Sequence, residues 1–130
     1  MHPEGGRRIL LVEDDPVLVK LLSRTLNRQG YEVEAFTAGS PAFARFTSAG
    51  SAFSAAVIDL TLPDGRGEEW IARFRSIVPG IPIVAMSGLP DVAIPSATKL
   101  AFLGKPFQTA ELAAVLDQLL RESPSAASAS

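Results

Sequence analysis

The chain has 130 residues, enough for one hydrophobic core and too few for two. Hydrophobic residues make up 47% and charged ones 20%, a globular balance, while a net charge of -2 and a pI near 5.3 provide no basic field for nucleic acid or anionic lipid. The absence of cysteine excludes disulfides and thiolate metal sites and suits the cytoplasm, and His2, the only histidine, stands in a polar leader, which excludes Ser-His triads and histidine metal sites.

Residues 1–7 read as a leader without the apolar region of a signal peptide, and the later apolar runs are too short to span a membrane. From Arg8 to Val12 the apolar residues are unbroken by alternation, which predicts a strand buried on both faces. Asp15 and Pro16 then read as helix cap and first helical residue, and Leu18, Leu21, Leu22 and Leu26 make one helical stripe up to Gly30. Tyr31 to Phe36 alternates like an edge strand, and a weaker helix is predicted from Ser40 to Ala49, closed by Gly50. A second buried strand is expected over 55–60, a helix over 68–78 with Trp70 and Phe74 as packing residues, and a strand over 81–86. A short strand over 100–103 and an amphipathic helix over 109–120 complete the pattern, and residues 122–130 form a Ser/Ala tail.

Strands alternating with helices predict an α/β fold, a doubly wound five-stranded parallel sheet in the order 2-1-3-4-5, flavodoxin-like. In such sheets ligands bind beyond the carboxyl ends of the strands, where the polar residues of this chain collect. Glu13, Asp14 and Asp15 follow the first strand, Asp59 lies near the end of the third, Ser87 follows the fourth and Lys105 the fifth. That strand order sets Asp14 beside Asp59 with Glu13 close by, and the repulsion of these acids calls for a hard divalent cation such as Mg²⁺. A carboxylate nucleophile, a metal, a lysine charge and a hydroxyl donor together suit phosphoryl transfer. Asp15 is assigned to the helix cap and not to the metal site.

The blocks ILLVEDD, VIDLTLPDGRG, IVAMSG and FLGKPF, in this order at strand ends, resemble the CheY-like receiver domains of two-component response regulators over residues 8–121. The resemblance implies that Asp59 is the phosphoacceptor, supplied by a histidine kinase or phosphotransfer protein, in a signalling domain that is no enzyme in the ordinary sense. It further implies Mg²⁺ held by Asp14, Asp59 and the backbone carbonyl of Thr61, with Glu13 acting mainly through water. Ser87 becomes the switch hydroxyl, Phe102 the switch aromatic and Lys105 the phosphate-pairing lysine, with a cis peptide at Lys105-Pro106. Phe102 on its strand has core packing as its equally plain alternative.

Two other readings stand beside this one. A haloacid-dehalogenase phosphatase needs a second acid two residues after the first, and position 61 is threonine. A degenerate receiver that only docks proteins lacks part of the acceptor set, which is complete here. The sequence departs from the family between Ser87 and Phe102, a spacing of 15 positions. That is about four short of the family's usual one, roughly one helical turn. With Pro90 and Pro95 also in this stretch, the helix between the fourth and fifth strands is expected to be short or absent, 89–99 mostly loop, and the domain a monomer. Met1 opening the leader and no output domain following favour a stand-alone regulator.

Overall fold

The computed structural model describes residues 7–88 and 99–122. Its elements alternate: β1 (Arg8–Val12), α1 (Pro16–Arg28), β2 (Glu32–Phe36), α2 (Gly39–Ala49), a 3-10 turn (Gly50–Ala52), β3 (Ala55–Asp59), α3 (Gly67–Ile77), β4 (Ile83–Ser87), β5 (Leu100–Gly104) and α4 (Thr109–Glu122). The five strands form one parallel sheet in the order β2-β1-β3-β4-β5, the order expected from the sequence. Boundaries shift by one or two residues: Leu60 has left β3, Tyr31 precedes β2 and β4 begins at Ile83.

Both faces of the sheet are covered, and the two-residue period of a strand divides the core between them. Leu10 and Val12 of β1 pack with Phe46 of α2 and Trp70 and Phe74 of α3. Ile9 and Leu11 point the other way, to Leu22 and Leu26 of α1 and Leu112 and Leu116 of α4. This explains why β1, β3 and β4 read as unbroken apolar runs.

The helix ends follow local chemistry. The Asp15 carboxylate accepts from the N–H groups of Val17 (3.0 Å) and Leu18 (3.5 Å), with Pro16 in the first turn, so Asp15 is the cap that the sequence predicted. Glu111 reaches back to the Gln108 N–H at 2.7 Å, the reciprocal half of a capping box that starts α4. At the outer edge, Arg8 and Arg45 pair with Glu32 and Glu34 on β2. The expectation of a loop over 89–99 lies, Lys99 excepted, outside the described residues, as do leader positions 1–6 and tail positions 123–130.

Candidate functional site

β3 lies between β1 and β4, and the register Val12↔Ile58 brings the acids after β1 level with the end of β3. Asp59 is the last residue of β3 and Ser87 the last of β4, while Lys105 directly follows β5, beside the Ser87↔Gly104 pair. One carboxylate oxygen from each of Glu13, Asp14 and Asp59 can be chosen so that all lie within 4.8 Å of one another. Glu13 is 0% exposed and Asp59 1%, whereas Asp14 faces solvent. These are the acids that the sequence grouped.

Lys105 Nζ lies 2.7 Å from Glu13 Oε1 and 3.3 Å from Asp59 Oδ2, so it bridges the two buried carboxylates with its shorter bond to Glu13. The other Glu13 oxygen accepts from the Asp15 N–H at 3.0 Å. Asp59 Oδ1 accepts from both the N–H and the hydroxyl of Thr61, each at 2.9 Å. The N–H half is an Asx turn, which the threonine two positions beyond an aspartate signals in sequence. The peptide bond Lys105-Pro106 is cis.

These contacts divide the charge unevenly. Burial pushes the Asp59 carboxyl up, but the two Thr61 bonds and the Lys105 ammonium outweigh it and hold the group below its ordinary value. For Glu13, burial prevails over the Lys105 and Asp15 bonds, helped by the nearby Asp59 charge, and its carboxyl is raised. Burial pushes Lys105 down, and its two carboxylate partners more than reverse this, so its pKa is raised. Within the pair, Asp59 is thus held toward its ionised form and Glu13 is pushed toward its protonated one.

Ser87 is buried at the end of β4. Phe102 is 48% exposed on β5, which overturns its alternative as a core residue: β5 has β4 on one side only among the described strands, and this side chain faces outward. Asp64 escaped the sequence reading altogether. Its carboxylate accepts from the N–H groups of Gly39 and Ser40, a through-space contact that no local pattern announces.

The response regulator receiver domain model matches residues 9–117. Among curated relatives, the transcriptional regulatory protein QseB of Haemophilus influenzae is 36% identical over 88% of this chain and 52% of its own length. The response regulator receiver protein CpdR of Brucella abortus is 31% identical over 88% of this chain and 97% of its own. The chain thus spans about half the length of QseB, and only 25% of NtrC from Rhizobium meliloti, which is 30% identical. Among solved structures, the receiver domain of the hybrid histidine kinase CckA superposes with a TM-score of 0.77 at 26% identity, covering 87% of this chain and 98% of that one. A Clostridium thermocellum receiver, at 17% identity and a TM-score of 0.78, shares the fold. With the sheet order, the strand-end acids and the matched span all agreeing, this chain belongs to the response regulator receiver domains of two-component systems.

Proposed function

We propose that this domain accepts a phosphoryl group on Asp59 from a histidine kinase or phosphotransfer protein, with Mg²⁺ at the acidic cluster, and thereby changes its partner-binding surface. The observation that carries the reading is the convergence of Glu13, Asp14 and Asp59 beneath a lysine that touches two of them. Three carboxylates with no nitrogen or sulfur donor suit a hard cation, and solvent-facing Asp14 suits an ion that retains several waters. Asp14, Asp59 and the Thr61 backbone carbonyl would hold it, with Glu13 acting through water. When bound, Mg²⁺ supplies charge neutralisation at the phosphoryl oxygens.

The protein's own groups account for the rest. Asp59, held ionised by Thr61 and Lys105, is the oxygen nucleophile. A bond forms from its carboxylate oxygen to phosphorus as the bond from phosphorus to the donor nitrogen breaks. Lys105 pairs with the transferred group, the Ser87 hydroxyl donates to one of its oxygens, and Phe102 responds as the switch aromatic. Val17 and Leu21, 68% and 47% exposed one turn apart on α1 next to the acids, offer the donor an apolar foothold. The domain occupies residues 8–121, acts as a cytoplasmic monomer and does not itself bind nucleic acid. No described helix is long and apolar enough to cross a membrane.

Incubation with acetyl phosphate, with and without Mg²⁺, tests this. Wild type should take up phosphate only with Mg²⁺, and Asp59→Asn, which keeps the shape and loses the nucleophile, should take up none. Equal uptake by the variant removes Asp59 from the role. No uptake by a folded wild type from either acetyl phosphate or a panel of kinases favours the degenerate docking module.

A further inference from the structure

The connection from β3 to α3, residues 60–66, carries Thr61 and its two bonds to Asp59. It is also fastened to α2. The Asp64 carboxylate receives the Gly39 N–H at 2.8 Å on one oxygen and the Ser40 N–H at 2.7 Å on the other. These are donors of the first turn of α2, which lacks a cap of its own because Ala38 at the N-cap position makes no side-chain bond. Burial pushes the Asp64 carboxyl up, but the Gly39 and Ser40 N–H groups outweigh it and the pKa is lowered.

A second feature holds the same junction. The Trp70 indole lies so close to both segments that a Cβ on Gly39 would fall 2.2 Å from the ring and one on Gly65 2.6 Å from it. Trp70 Nε1 is buried without a hydrogen-bond partner, so ring packing and the Arg73 guanidinium 4.7 Å over its face position the indole. At the far end of the connection, a Cβ on Gly67 would lie 2.6 Å from the Leu60 Cα, so the segment closes tightly on its own start.

We infer that Asp64 is a positioning residue for the acceptor site: by capping α2 across space it fixes the connection in the shape that lets Thr61 grip Asp59. Its part in metal binding rests on the Mg²⁺ reading given above. An anchor that is not itself a ligand sets how well the ligands are preorganised, and losing such a partner typically weakens metal binding about tenfold or more. α2 is thereby linked to the acceptor by a carboxylate outside the acidic cluster.

Asp64→Ala should weaken Mg²⁺ binding about tenfold, read by titration of Trp70 fluorescence, and speed amide exchange of Thr61 by a similar factor without metal. Asp64→Asn, whose amide oxygen still accepts, should recover part of both. The decisive variant adds Ala38→Ser, which gives α2 a local cap at an extended N-cap position (φ -149, ψ 159) without tethering the connection. It should restore the thermal midpoint lost in Asp64→Ala and leave Mg²⁺ affinity and Thr61 exchange impaired. If the local cap restores all three, Asp64 is only a helix cap and the inference fails. Unchanged Thr61 exchange in Asp64→Ala overturns it as well. A wild type that binds no Mg²⁺ defeats the metal reading, and the exchange measurement still decides the positioning role.

Discussion

Replacing Lys105 by methionine removes the ammonium that touches both buried carboxylates and keeps most of the side chain's apolar bulk. Glu13 and Asp59 then share a site closed to solvent without that counter-ion. Protonation of Glu13 relieves the repulsion, since burial already holds that carboxyl above its ordinary value of 4.5 with the lysine in place. Keeping a group of that ordinary pKa protonated at pH 7 costs about 3.4 kcal/mol, at roughly 1.36 kcal/mol per pH unit, which sets a ceiling on the loss. Removing one partner of a fully buried pair costs about 3–5 kcal/mol, and a lysine that keeps some contact with water falls at or below the low end. The expected destabilisation at pH 7 is therefore about 2–3 kcal/mol.

The sign fixes the pH window. In the variant Glu13, without the ammonium that lowers it, has a folded-state pKa above its unfolded one, so the folded protein holds that proton more tightly and stability falls as pH rises above about 4.5. In wild type the lowered Asp59 works the other way: its contribution is present above the ordinary value of 3.8 and is lost as pH falls below it. The deficit should accordingly be larger at pH 7 than at pH 4.5, where the Lys105–Asp59 part of it remains. Mg²⁺ should stabilise the variant more than wild type, because no ammonium competes for Glu13; at ten times Kd, binding contributes about 1.4 kcal/mol. Urea unfolding at both pH values, with and without Mg²⁺, measures all of this. Coincident curves at pH 7, or a deficit as large at pH 4.5 as at pH 7, would refute the reasoning.

Phe46→Ala empties a site where the ring meets Phe74 edge-on at 5.0 Å and Phe53 at 5.8 Å, and should cost about 3–5 kcal/mol in urea unfolding; a loss below about 1.5 kcal/mol would mean that the core between α2 and α3 collapses to fill the gap. Tyr31→Phe deletes the hydrogen bond to Asp117 on α4 and should cost about 1 kcal/mol at neutral pH. Because burial and the Asp117 carboxylate raise the Tyr31 phenol above its ordinary 10.0, wild type should also lose stability as pH climbs past 10, and the variant should lose less; parallel alkaline slopes would contradict this. Arg45 lowers the Glu34 carboxyl, so that pair stabilises the fold above the ordinary value of 4.5 and fades as pH falls below it; Glu34→Gln should flatten the acid limb of a stability-against-pH curve, and an unchanged limb would count against the pairing.

What the sequence disclosed and what it withheld follow from range. β1, β3 and β4 were legible because strands covered on both faces read as unbroken apolar runs, and the acids at their ends followed from the parallel topology. Asp15 was legible as a cap because its partners lie two and three residues away. Asp64 was not, since its partners lie 25 and 24 residues away on another element. The preference of Lys105 for Glu13 over Asp59 is set by where one long side chain ends, which motif spacing does not encode. Phe102 was ambiguous because a strand's outward and inward positions look alike until its neighbours are known.

The charged border on β2 has a colloidal consequence. An open strand edge is a template for pairing with another chain, and a second copy brought alongside β2 would set Glu32 and Glu34 against their own duplicates. It would also disturb ion pairs that Arg8 and Arg45 already satisfy within one molecule. At high protein concentration that side of the sheet therefore disfavours edge-to-edge pairing of two copies.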